Sequence, residues 1–102
     1  MYRSTPVVSN REIADRVRYL ELDTDLEFRP GQCISLALGD SERYYSIASG
    51  VNEPHIGVIF DVIATGELTP ALAGLRQGDP VRVLEDLTSE SGAQAIFAES
   101  PK

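Results

Sequence analysis

Arg43-Tyr44-Tyr45-Ser46-Ile47-Ala48-Ser49 is the stretch whose reading sets the rest of the chain in order. It reads as a β-strand, in which successive side chains point to opposite faces, so Arg43 and Tyr45 share one face and Tyr44 and Ser46 the other. An arginine beside an aromatic ring suits a flat ligand that carries phosphate. The guanidinium fork matches phosphate oxygens and the phenol ring offers a stacking surface. The same pattern also describes a half-buried strand whose tyrosines cover the core and whose arginine is solvated. Spacing alone leaves both readings open.

Working outward, short alternating runs predict further strands. They are a run from Thr5 to Ser9 around Val7-Val8, then Arg16–Leu22, Cys33–Leu38, Tyr44–Ala48, Ile56–Ile63 and Val81–Leu84. Turn signals separate them at Arg29-Pro30-Gly31, Gly39-Asp40, Gly50–Pro54 and Gly78-Asp79-Pro80. One helix is expected over Thr69–Leu75, with Thr69 as N-cap, Pro70 at its first position, and Leu68, Leu72 and Leu75 on one face. The turn before it, Gly66-Glu67-Leu68-Thr69, leads into a helix N-terminus, where free amides favour an anion; a capped helix after a tight turn is the plainer meaning. Glu85–Gln94 reads as a loop and Ala95–Ala98 as a short final strand. About six strands and one helix, spaced at roughly 8–12 residues, predict an all-β domain, a small antiparallel barrel or a sandwich.

Composition narrows the function. The 102 residues are 42% hydrophobic and 25% charged, an ordinary globular balance that supports one domain. Sixteen acids against nine bases give a net charge of -7, which argues against nucleic acid or an anionic membrane as partner. No apolar run approaches the roughly 20 residues of a membrane span, and Met1–Pro6 lacks the apolar stretch of a secretory signal, so a cytoplasmic location is expected. The single cysteine, Cys33, excludes an internal disulfide, and the single histidine, His55, excludes most zinc sites, so no metal is expected. Cys33 reads as an inert, partly buried thiol, His55 as a solvated loop residue, and Glu85-Asp86 as part of a solvated edge.

Taken together, Pro30-Gly31-Gln32, Arg43-Tyr44-Tyr45-Ser46-Ile47-Ala48-Ser49, Gly66-Glu67-Leu68-Thr69-Pro70 and Gly78-Asp79-Pro80-Val81 stand in a telling order. From about Val7 to Val83 the chain resembles the flavin-binding domain of the ferredoxin–NADP reductase superfamily. The likeness is strongest to bacterial ferredoxin (flavodoxin)–NADP reductases, and the Arg43–Ser49 motif is also similar to that of diflavin reductases. The resemblance implies a six-stranded antiparallel Greek-key barrel with one short α-helix. Residues 1–98 would form the FAD-binding barrel and residues 99–102 the start of an interdomain linker or tail. It implies FAD rather than FMN as cofactor. Arg43 would bind the flavin phosphate, Tyr45 would stack on the isoalloxazine, and Ser46 would place its hydroxyl near N5 and O4 as the catalytic residue. Backbone groups at Phe60 and Val62 would hold the pyrimidine edge. Gly66, Leu68 and Thr69 would offer amides to the pyrophosphate, with the Thr69 hydroxyl joining them.

The implied function is that of the flavin half of an oxidoreductase, holding FAD for hydride and electron transfer between NAD(P)H and an acceptor protein. The 102 residues contain no Gly-rich Rossmann-like domain, so NAD(P)H is expected only with a second, nucleotide-binding domain, and the isolated chain is not expected to be a complete enzyme. A homodimer is expected through the face such a domain would cover, with Ile96 and Phe97 in it. The competing reading is a non-catalytic barrel that mediates protein contacts without cofactor.

Overall fold

A computed structural model describes residues 2–84 together with Thr88 and Ser89. The chain forms β1 (Tyr2–Ala14), β2 (Val17–Leu22), β3 (Gln32–Leu38), β4 (Ser41–Ser46), β5 (Ile56–Asp61), α1 (Leu68–Ala73), β6 (Pro80–Leu84) and the two-residue β7 (Thr88–Ser89). Every pairing is antiparallel, in the order β4-β3-β6-β1-β2-β5, with β7 added beside β3. This is the expected six-stranded barrel with one short helix, but its sheet does not close between β4 and β5.

The inward residues explain why the sheet curls. Leu20 and Leu22, Ile34 and Leu36, Ile56, Val58 and Phe60, and Val81 and Val83 alternate along their strands and are all buried. Leu68 and Leu72 of α1 pack into the same cluster. Period-2 burial fixes register, because a one-residue slip would turn a whole strand's apolar set into water.

β1 is far longer than the run around Val7-Val8 foretold. Its first part, Tyr2–Pro6, pairs with β6, and its second part pairs with β2 from Val7 to Ala14. Register shifts at Val7/Ser9 and Glu12/Ala14 break the alternation that a sequence pattern relies on. β4 begins at Ser41 rather than Tyr44, because the turn at Gly39, with φ of 57°, pairs Leu38 directly with Ser41. Arg16 is not in β2; it takes φ of 59° in the turn before it.

The helix also differs from expectation. It runs from Leu68 to Ala73, its N-cap is Glu67, and no side chain caps it. Thr69 sits inside the first turn, where its Oγ1 accepts the Ile63 N–H at 2.8 Å. His55 is half-buried rather than solvated, with an Nδ1 that meets no partner among the described residues. Within the expected loop 85–94, Thr88–Ser89 pairs with Gln32 and Cys33. The expected final strand Ala95–Ala98, the linker 99–102, the acidic pair Glu85-Asp86, and the proposed dimer residues Ile96 and Phe97 lie outside the described residues. Among the described residues, no helix is long and apolar enough to cross a membrane.

One glycine is fixed by packing. Tyr19 pairs with Ile59, and its ring leans diagonally over Gly57, where an added Cβ would fall 2.5 Å from Cζ and 2.7 Å from Cε1. The Arg11 guanidinium lies 5.1 Å from the ring centroid. Gly57→Ala is therefore expected to displace the ring and lower stability by about 1–3 kcal/mol. The measurement is the urea unfolding midpoint, and the loss should shrink when Tyr19 is already alanine.

Candidate functional site

The open seam of the barrel is where the singled-out residues gather. β4 and β5 end the strand order on either side, and a single isolated bridge, Ile47 to Val58, links them. Next to it the Ala48 N–H donates to the Gly57 carbonyl at 2.8 Å, and the Gly57 N–H donates to the Ser49 hydroxyl at 2.9 Å. Beyond this clasp, no pairing between β4 and β5 occurs among the described residues, which leaves Tyr45 facing Phe60 and Arg43 further along.

Tyr45 lies opposite Ile34 and Arg43 opposite Leu36, so both face the core side as the alternation required. The Tyr45 ring packs against the core and meets Phe60 at 6.1 Å between centroids, tilted by 57°. Its hydroxyl is buried and has no hydrogen-bond partner among the described residues. Burial pushes the Tyr45 phenol above its ordinary value, and the positive charge of Arg43 pulls it partly back. Arg43 itself is exposed, and no carboxylate or hydrogen-bond partner holds its guanidinium among the described residues. It lines a groove of about 430 Å³ whose walls are Asp40–Arg43 on one side and Thr65–Leu68 on the other.

The groove is not purely basic. Asp40, Glu42 and Glu67 also line it, although Glu42 accepts a hydrogen bond from the Tyr2 hydroxyl at 2.7 Å and Glu67 one from Ser41 at 3.1 Å. Ser46 is exposed on the opposite face of β4 from Tyr45, with its Oγ 3.9 Å from the buried Cys33 sulfur. Phe60 is buried, and the Val62 N–H donates to the Arg16 carbonyl at 2.7 Å, so a ligand contact at Val62 falls to its carbonyl. The Gly66 N–H donates to the Ile63 carbonyl at 2.8 Å, and a Cβ there would sit 3.2 Å from that oxygen. Gly66 thus shapes the turn with its own amide engaged. Leu68 and Thr69 begin α1, where first-turn amides lack an intrahelical acceptor. The Thr69 hydroxyl turns inward to Ile63 instead of towards the groove. Arg43, Gly66 and Leu68 therefore share one groove, Tyr45 and Phe60 share the seam, and Ser46 and Thr69 stand apart from both.

Sequence reasoning missed Asn10. From the middle of β1 its Nδ2 donates to the carbonyls of Leu72 and Leu75, each at 2.9 Å, and of Ala73 at 3.3 Å. Its Oδ1 accepts from Arg18 Nε at 2.7 Å. No local signal marks such a residue, because its carbonyl partners lie 62 to 65 positions away. Among the described residues, no group of three His, Cys, Asp or Glu side chains is placed to hold a metal ion.

No protein-family model and no curated protein matches the sequence. Solved structures do match. A ferredoxin–NADP+ reductase from Neisseria gonorrhoeae with bound FAD and NADP aligns with a TM-score of 0.79 at 16% identity, over 86% of this chain and 38% of that one. The CS-b5R domains of human Ncb5or in the NAD+ form align at 0.69 and 25% identity, over 81% and 29%. Phthalate dioxygenase reductase, described as a modular structure for electron transfer from pyridine nucleotides to 2Fe-2S, aligns at 0.69 and 20% identity, over 80% and 28%. The fold is thus the ferredoxin–NADP reductase-like barrel, and the chain spans less than two fifths of the length of each of these three proteins.

The buried phenol offers a direct test of the site. Tyr45→Phe removes an unpartnered hydroxyl, so the ligand-free protein is expected to gain about 1–3 kcal/mol of stability. Tyr2, Tyr19 and Tyr45 all hold their protons more tightly when folded, chiefly through burial. Their contribution to stability is therefore full below the unfolded phenol value of 10.0 and declines as pH rises through the folded values. Ultraviolet titration of phenolate alongside urea unfolding checks both. Arg43→Ala should raise the Tyr45 titration further, since it removes the one charge that lowers it.

Proposed function

We propose that this chain is the flavin-binding domain of a ferredoxin/flavodoxin–NAD(P)H reductase-like oxidoreductase. The observation that carries the reading is the unpaired seam between β4 and β5, bordered by an arginine with no partner and a tyrosine whose buried hydroxyl has none among the described residues. These groups fit FAD. A barrel used only for protein contacts gives no reason to leave a phenol hydroxyl buried and unsatisfied, a state that costs about 1–3 kcal/mol.

In this reading the Tyr45 ring supports the isoalloxazine, and Arg43 neutralises phosphate charge across the groove from the amides of Leu68 and Thr69. Backbone at Phe60 and Val62 borders the ring edge, with Val62 contributing its carbonyl. Ser46 lies on the other face of β4 from Tyr45, so its hydroxyl would reach the ring near N5 only where the ring extends past the end of β4. Gly66 keeps the turn tight, and Thr69 holds it to Ile63. Bound flavin supplies two-electron and one-electron redox chemistry, for which the protein provides orientation and polarity. NAD(P)H binding is assigned to a separate nucleotide-binding domain, and electrons leave to an acceptor protein. A cytoplasmic setting accords with this chemistry.

The test is a titration of the full chain with FAD, followed by absorbance and fluorescence. Wild type should bind and turn yellow. Arg43→Ala should lose about 1.5–3 kcal/mol of binding, roughly one to two decades in affinity, with an unchanged circular dichroism spectrum. Ser46→Ala should bind nearly as wild type while shifting the reduction potential of the bound flavin. Equal FAD affinity in wild type and Arg43→Ala would remove the arginine from the site.

A further inference from the structure

The wall of the groove that faces Arg43, Thr65–Leu68, leads into α1, a helix of only six residues with no side-chain cap at its start. So short a helix does not hold its own position, since isolated helices below about 12–15 residues are marginal. Three attachments fix it to the barrel. Leu68 and Leu72 are buried in the core, and Thr69 Oγ1 accepts the Ile63 N–H. The third attachment is Asn10, which binds the carbonyls of Leu72 and Ala73 at the far end of the helix and of Leu75 just past it.

We infer that Asn10 is a positioning residue for the phosphate of the flavin: by clamping the C-terminal end of α1 to β1, it sets the distance between the turn at Gly66–Leu68 and Arg43. The inference rests on the flavin reading above. Its chemistry is specific to an amide side chain. Nδ2 is the only part of Asn10 that can donate to the carbonyls, and Oδ1 is the part that accepts from Arg18, so the two neighbours leave one orientation for the group. Arg18 Nη2 also donates to the Asn10 main-chain carbonyl at 3.1 Å, which holds the side chain and its backbone as one unit. A hydrophobic anchor resists separation but tolerates sliding. Directed bonds to Leu72, Ala73 and Leu75 fix where along β1 the helix stops, and α1 then carries that setting to Glu67 and Leu68. The Ser41 hydroxyl donating to Glu67 ties the same wall to the start of β4, so both walls are referred to one frame.

Asn10→Asp is the informative variant. It keeps the acceptor for Arg18 but replaces the donor with a carboxylate oxygen that repels the helix carbonyls. FAD, FMN and riboflavin are titrated separately into wild type, Asn10→Asp and Asn10→Ala, and amide hydrogen exchange is measured on the ligand-free proteins. Both variants should bind FAD and FMN about tenfold more weakly than wild type, as expected for one displaced charge-assisted contact, while riboflavin, which has no phosphate, changes less than about twofold. Exchange should quicken across residues 66–73 and stay unchanged in β3 and β5. The phosphate-dependent loss should also largely vanish in an Arg43→Ala background, because the two act on one contact. An equal loss for all three flavins, or unaltered exchange in α1, would overturn the positioning role and leave the flavin reading intact. Failure of wild type to bind any of the three overturns the flavin reading and this inference with it.

Discussion

The clasp at Ile47, Ala48 and Ser49 on one side and Gly57 and Val58 on the other governs how the rest of the molecule is used. It joins β4 to β5 firmly enough to complete a barrel wall at one end. Beyond it, each strand keeps an edge that pairs with nothing among the described residues. Strand edges are normally covered, shortened or charged, because open backbone groups recruit other chains. Here the edges border an arginine, an aromatic pair and a glycine turn, the groups to which the proposed flavin site is assigned. In that proposal, barrel closure and ligand binding would be alternatives for the same backbone, with the clasp marking where one gives way to the other.

The site is built from few residues, but they draw on distant parts of the chain. Arg43 and Tyr45 are placed by register with β3, since Leu36 and Ile34 opposite them are buried in the core. The facing wall, Thr65–Leu68, leads into α1, which β1 holds from the other side through Asn10. The acidic groups nearby are largely engaged: Glu42 with Tyr2 and Glu67 with Ser41. Those bonds keep two of the three groove carboxylates directed at protein donors, while Asp40 and the Arg43 guanidinium have no partner among the described residues.

Much of this was legible in the residues, for local reasons. Alternation placed Arg43 and Tyr45 on one face because period-2 geometry holds in a strand that pairs without bulges. It failed in β1, where two register shifts disrupt the period and polar residues such as Asn10 are recruited to bind a helix. Thr69 shows a different limit. Its type and position announced a cap, yet a hydroxyl near a turn has several backbone groups in reach, and tertiary packing chose the Ile63 amide. His55 failed for a related reason: a turn-rich stretch does not reveal that the segment Thr24–Phe28 lines the same pocket as His55. The open seam itself left no trace in the pattern, since alternation specifies what faces inward and says nothing about which edges meet.

The pairing of β1 with β6 bears on how the protein comes into being. Tyr2 meets Leu84 and Pro6 meets Pro80, so one of the two neighbours of the first strand is among the last parts of the barrel to be synthesised. At roughly 5–20 residues per second, a ribosome needs on the order of 4–16 s to make the intervening chain. During that interval β2 can pair with Val7–Ala14 of β1 as a local hairpin, while Tyr2–Pro6, whose ladder partner is β6, waits unpaired. Contacts of such long separation make folding slow, because the loop must close before its contacts contribute. The hairpin is thus the natural early unit of this barrel, and the arrival of β6 is the step that commits it.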